Sequence, residues 1–249
     1  MYNWNINVSV PIREQNKIID ELDLKIYVVT SHFNLHKSTG NLLVPRYSTY
    51  IQAGAALTKK LMCELRDNIG EKNISINNPM YCELTALYWI WKNELPHDYI
   101  GFNLYSRIFE LSEEQLIYIL ANGIDVIVPE PEILSPLFKT TIQASKEINN
   151  FLKTAISKIC PSYLNTYEDS LKEKICIPSN LIIAKKEIFS NYTEWLFKML
   201  SAYENLLKEN LQKMPLRHIG YMAERLMTVY FLHHSEDLNI FFARRRFLI

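Results

Sequence analysis

Glu224 and Arg107 are the side chains in this sequence best suited to move a proton or hold an anion. Glu224 falls early in a helical stretch spanning Leu216 to Leu232, with Thr228 one turn on along the same face. Met222, Leu226 and Val229 lie on other faces and read as core. A carboxylate one turn into a helix that begins near a cleft can act as a general base; a solvated Glu–Arg pair is the competing reading. Arg107 follows the apolar run Tyr99–Phe102, where a guanidinium can neutralise a phosphate or pair with a surface carboxylate.

A second candidate region runs from Asp67 to Asn93. Its first half is a polar, asparagine-rich loop containing Asn73. Its second half is a helix for which Asn78 can serve as N-cap and Pro79 as first residue. Leu84, Leu87, Tyr88 and Trp91 then recur at helical spacing. A polar loop delivered onto the positive end of a helix suits a polar or anionic ligand, and a capped core helix behind a solvated loop is the plainer alternative.

Metal and phosphate-loop chemistry find little support. His32 and His36 sit on a loop with no cysteine or carboxylate at ligand spacing. No Asp-x-Asp occurs, and Glu130-x-Glu132 is interrupted by Pro131. Six glycines and neither a G-x-G-x-x-G nor a Walker A pattern argue against a dinucleotide dehydrogenase or a P-loop enzyme.

The elements that must position these groups alternate between strand and helix. Leu24 to Thr30 reads as a buried parallel strand whose end can carry ligand contacts. Tyr47 to Leu57 follows, with Gly54 marking a close backbone approach. Tyr99 to Phe109 reads as a central strand leaving the core into a turn. Ser112 starts a helix, and Ile124 to Val128 is a strand stopped by Pro129. Lys139 to Leu171 is helical with a break at Pro161, Ile175 to Ala184 returns to β character, and Lys186 to Asn205 is helical. This order predicts a single α/β domain with a largely parallel sheet, preceded by a lead-in over residues 1–23 and followed by a basic, aromatic tail over 236–249.

The bulk numbers exclude several partners. Lys+Arg and Asp+Glu both number 27 in 249 residues, so no net field favours nucleic acid. The four cysteines are widely spaced, which fits reduced thiols in a cytoplasmic setting. The N-terminus has no signal-peptide run, and no stretch reaches the roughly 20 apolar residues of a membrane span. In the tail, Phe241, Phe242 and Phe247 with Arg244–Arg246 could dock at an anionic inner membrane face or fold back onto the domain.

Asn73-Ile74-Ser75, followed by Asn78-Pro79-Met80-Tyr81-Cys82-Glu83-Leu84-Thr85-Ala86-Leu87-Tyr88-Trp89-Ile90-Trp91-Lys92-Asn93, resembles the signature of a bacterial capsular and exopolysaccharide biosynthesis family. That family, catalogued as a domain of unknown function, is grouped with GT-A nucleotide-diphospho-sugar transferases. The likeness covers residues 24–233, including Ile51–Leu57, Asp98–Gly101, Ile183–Phe189 and the closing Arg217 and Gly220–Leu226. One departure stands out. The family's His-Tyr-Arg-Arg-Tyr-Phe is here Leu104-Tyr105-Ser106-Arg107-Ile108-Phe109, without the histidine and the first arginine.

The resemblance implies a GT-A-like fold with a Rossmann-like sheet. It also implies an inverting glycosyltransferase that moves a hexose, with galactose and galactofuranose as candidates, from a nucleotide-diphosphate sugar such as a UDP-sugar onto a surface-polysaccharide or lipid-linked acceptor. Glu224 would be the base, and Arg107 with Arg217 would stabilise the leaving diphosphate. Thr30, His32, Gln52 and Gly54 would line the nucleotide pocket, while Asn73, Asn78 and Glu83 would contact the sugar or hold the loop that does. No metal ligands are assigned. Loss of polar side chains at Leu104 and Ser106 leaves a second expectation open, a non-catalytic glycan- or nucleotide-binding relative.

Overall fold

A computed structural model describes residues 22–31, 47–94, 97–134, 146–209 and 216–248. His32, a nucleotide-pocket candidate, lies outside the described residues, as does His36. The first strands are β1 (Leu24–Ser31), β2 (Ser48–Ala53) and the short β3 (Leu65–Arg66). Two helices, α1 (Asn78–Tyr81) and α2 (Leu84–Asn93), lead to a tight hairpin of β4 (Tyr99–Leu104) and β5 (Arg107–Phe109). Then come α3 (Glu113–Ala121), β6 (Val126–Pro129), β7 (Glu132–Ile133), α4 (Lys146–Ile159), α5 (Leu164–Lys172) and β8 (Ile175–Cys176). The chain continues through β9 (Ile182–Lys185), α6 (Lys186–Glu209), α7 (His218–His233), β10 (Ile240–Ala243) and β11 (Arg245–Phe247).

Seven strands run in the order β10-β6-β9-β4-β1-β2-β3, with β5 and β11 attached beside β4 and a separate β7–β8 pair. Along that seven-strand path the predicted parallel sheet is observed with one exception. β9 runs antiparallel between β4 and β6, while β10–β6, β4–β1, β1–β2 and β2–β3 are parallel. The carboxyl ends of β1, β2, β4, β6 and β10 therefore share one edge of the sheet with the start of β9. In open α/β sheets that edge is where ligands bind.

Burial on both faces explains the near-continuous apolar strands: Ile26, Tyr27, Ile100, Phe102, Ile127 and Ile183 are almost fully enclosed. Gly101 is needed for close approach, because a Cβ there would lie 2.8 Å from Ile26 Cγ1 and 3.1 Å from Ile183 Cγ1. In α3 the Ser112 hydroxyl accepts from the Gln115 N–H and the Gln115 side chain accepts from the Ser112 N–H, the expected capping box.

One expectation needs correction, and one open alternative is answered. The helix predicted to run unbroken from Asn78 is two helices, split at Cys82, whose φ is 51°. Asn78 is not the N-cap but lies inside α1, where its Nδ2 donates to the Cys82 carbonyl (2.6 Å) and to Thr85 Oγ1 (3.2 Å) across the break. The local polar bond competes with continuation of the helical ladder and wins. Second, the residues read as a tail from 236 onward are built into the domain. β10 extends the sheet beside β6, β11 pairs antiparallel with β5, and Phe241 and Phe242 pack against the core. The exposed backbone edges of β6 and β5 offered hydrogen bonds that a free tail would leave to water.

Candidate functional site

The site is built where α7 meets the loop entering β9. Glu224 and Thr228, one turn apart on α7, both grip that loop. Thr228 Oγ1 accepts from the Ile177 N–H at 2.8 Å, and Glu224 Oε1 accepts from the Ser179 N–H at 3.0 Å. The turn they hold is unusual, because Ser179 and Asn180 both take left-handed backbone angles, with φ of 82° and 53°. Two consecutive non-glycine residues in that region need support from their surroundings, and such strain concentrates at functional sites. Asn tolerates this conformation because its side chain can bond locally.

From this turn the contacts spread in two directions. On one side, Ser179 Oγ accepts from Arg107 Nη1 at 3.1 Å and from Arg245 Nη1 at 2.5 Å. On the other, Asn180 Nδ2 donates to Glu83 Oε1 at 2.9 Å and to the Gly220 carbonyl at 3.3 Å. Asn180 Oδ1 is buried without a partner among the described residues. Glu83 sits beside Cys82, whose thiol interacts with Arg217, and the Arg217 N–H donates to the Pro79 carbonyl at 2.8 Å. The structure thus brings Glu224, Glu83, Arg107 and Arg217 into one neighbourhood.

Glu224 is 8% exposed. Burial and the neighbouring Glu83 charge push its carboxyl up to about 7, against the opposing pull of the Ser179 N–H, Arg107 and Arg245. A carboxyl poised near neutrality, with guanidinium groups close by, has the character of a proton-transfer residue.

Among the other expected pocket residues, Gln52 and Asn73 have polar side-chain atoms engaged in holding loops. Thr30 is buried at the end of β1, in register with Gln52 on β2. Gln52 is fully buried and clamps a loop, donating to the Lys60 carbonyl (2.9 Å) and accepting from the Met62 N–H (2.8 Å). Gly54 has a φ of 66°, and a Cβ there would fall 2.6 Å from Asn78 Cγ, so the close approach read from its sequence context is to Asn78. Asn73 closes its own loop by donating to the Gly70 carbonyl at 2.7 Å.

Several residues of the site escaped the sequence reading. Asp67, fully buried, accepts from the Gly54 N–H (2.8 Å), the Ala55 N–H (3.0 Å) and the Ser75 hydroxyl (2.5 Å), joining the β2 turn to the asparagine-rich loop. Ser179 and Asn180 were visible only as turn-forming types after Pro178. Arg245 looked like part of a basic tail; it bonds Ser179 and pairs with Glu132. Among the described residues, no group of three His, Cys, Asp or Glu side chains is arranged to hold a metal ion, and no helix is long and apolar enough to cross a membrane.

A family model described as a domain of unknown function, DUF4422, matches residues 25–235. The chain belongs to the DUF4422 family. No curated protein matches it in sequence. Among solved structures, this DUF4422 chain is similar to the apo form of WbbM, a bifunctional glycosyltransferase, with a TM-score of 0.71 and 26% identity. The match covers 91% of this chain and 45% of WbbM, so the DUF4422 chain spans less than half of that protein. A mannosyltransferase of S. cerevisiae, Ktr4p in complex with GDP, aligns over 92% of this chain and 77% of its own. The TM-score of that alignment is 0.41 and the identity 10%. The GT-A-like arrangement expected for the domain, a mostly parallel sheet flanked by helices, is the observed one.

Proposed function

We infer that this chain is a glycosyltransferase, moving a hexosyl group from a nucleotide-diphosphate sugar to a glycan acceptor. The observation that carries the reading is Glu224: buried at the carboxyl edge of the sheet, raised to about 7, and flanked by Arg107 and Arg245. The likeness to WbbM supports the same class of chemistry.

In this mechanism the ionised Glu224 takes the proton of the attacking acceptor hydroxyl as the bond to the anomeric carbon forms and the bond to the diphosphate breaks. A single displacement of this kind inverts the anomeric configuration. Charge builds on the leaving diphosphate, where preorganised guanidinium groups stabilise it most; Arg107 and Arg217 take that role. Burial, with the charge of Glu83 held by Asn180 adding to it, keeps the Glu224 proton affinity high enough for it to work near neutral pH. Thr30, Gln52, Gly54, Asn73 and Asn78 shape the donor end of the edge through the loops they fix. UDP-sugars, galactose and galactofuranose donors among them, are the first to try, with a surface polysaccharide or its lipid-linked precursor as acceptor.

The deciding experiment measures nucleoside diphosphate release from a panel of nucleotide sugars, with and without EDTA, for the wild-type chain and E224Q. Release that depends on Glu224 is expected. Absence of release from every donor, or full release by E224Q, would refute the assignment.

A further inference from the structure

The same edge of the sheet holds a cleft of about 210 Å³ to which the roles above assign nothing. It opens between the Glu130–Glu132 segment after β6 and the Arg244–Phe247 segment, with Glu110 at one end. Its wall is joined to the proposed base through Arg245 and Ser179. Arg245 lines the cleft and reaches Ser179 Oγ, and the Ser179 N–H rests on Glu224.

The lining points to the kind of ligand. Three carboxylates face two guanidinium groups, and these are already engaged with one another: Glu132 with Arg245, and Glu130 with Arg244 at 3.8 Å. A diphosphate entering here would meet more negative than positive charge, whereas an uncharged polyol finds fixed acceptors for its hydroxyls. Phe247 adds an apolar face. Its ring, 53% exposed, lies 5.8 Å from the Arg107 guanidinium and 5.3 Å from that of Arg245. The negative face of an aromatic ring attracts the slightly positive C–H groups of a pyranose. The cleft is smaller than the roughly 300–1,000 Å³ of pockets for drug-sized molecules, which suits one monosaccharide unit.

We propose that this cleft is the acceptor subsite and seats one uncharged sugar unit, its C–H face on Phe247 and its hydroxyls donating to Glu130 and Glu132. The acceptor role rests on the glycosyl-transfer reading; sugar binding itself does not.

Saturation-transfer NMR on the full chain, with methyl glycosides of glucose, galactose and mannose as probes and UDP present, tests it. At least one glycoside is expected to bind, F247A and E130Q are each expected to weaken it roughly tenfold, and UDP is expected not to displace it. Phe247 is exposed on a short edge strand, and unchanged thermal melting of F247A would separate lost binding from lost folding. Glycoside binding absent from the wild type, unchanged from wild type in either variant, or displaced by UDP would overturn the proposal. If glycoside binds as expected but no donor is turned over, the acceptor role falls with glycosyl transfer. If donors are turned over and F247A binds glycoside normally, the cleft assignment alone falls.

Discussion

Replacing Glu224 by Gln should remove activity and stabilise the protein at once. The folded state raises this carboxyl from an ordinary 4.5 to about 7. The folded chain therefore holds the proton more tightly than the unfolded one. Stability is full below about pH 4.5, falls as pH rises toward about 7, and levels off beyond. The interval between those values, at about 1.4 kcal/mol per unit, corresponds to about 3 kcal/mol of stability given up above neutrality. Gln can still accept the Ser179 N–H through its amide oxygen, but it never ionises. E224Q should therefore match wild type near pH 4 and exceed it by up to about 3 kcal/mol at pH 8, while donor turnover drops by roughly 10²–10⁴-fold. Urea unfolding of both proteins from pH 4 to 8, followed by fluorescence, reads the first effect; nucleoside diphosphate release reads the second. A stability difference that does not change with pH would refute the raised carboxyl, and the argument for a base with it.

Other consequences can be measured with the same assays. For wild type, turnover should rise with pH along a limb centred near 7, and E83Q should move that limb to lower pH by removing the adjacent charge while keeping an oxygen for Asn180 Nδ2. An unmoved limb would show that Glu83 does not tune Glu224. R107A should lower kcat/KM by roughly 10–100-fold, the range for losing a charged hydrogen-bonding partner in the transition state; steady-state kinetics that stay near wild type would exclude Arg107 from the reaction. G54A should cost about 1–3 kcal/mol in urea unfolding, because it combines a left-handed φ of 66° with a Cβ 2.6 Å from Asn78 Cγ. D67A, which takes the carboxylate acceptor from three buried donors, should destabilise by a few kcal/mol and loosen the Gly54 and Ser75 loops together, visible as faster amide exchange at both.

What the sequence determined by itself is local: period, composition and turn chemistry. Continuous apolar runs marked β1 and β4 as strands buried on both faces, Ser112 and Gln115 announced the start of α3, and the strand–helix alternation fixed the class of fold. The pairing of Glu224 with Thr228 along one helix face was likewise legible, and the structure puts both side chains on the same loop. Tertiary structure decided everything that depends on contacts far apart in the chain. The split at Cys82 follows from where the Asn78 amide finds its partners. The antiparallel entry of β9 places Ser179 and Asn180 at the ligand edge, 45 residues from Glu224 in sequence for the Ser179 contact. The last strand brings Arg245 to the same serine hydroxyl from 66 residues away. No local propensity encodes such meetings, because a left-handed Ser-Asn pair or a surface-looking arginine acquires its role only when the sheet closes around it.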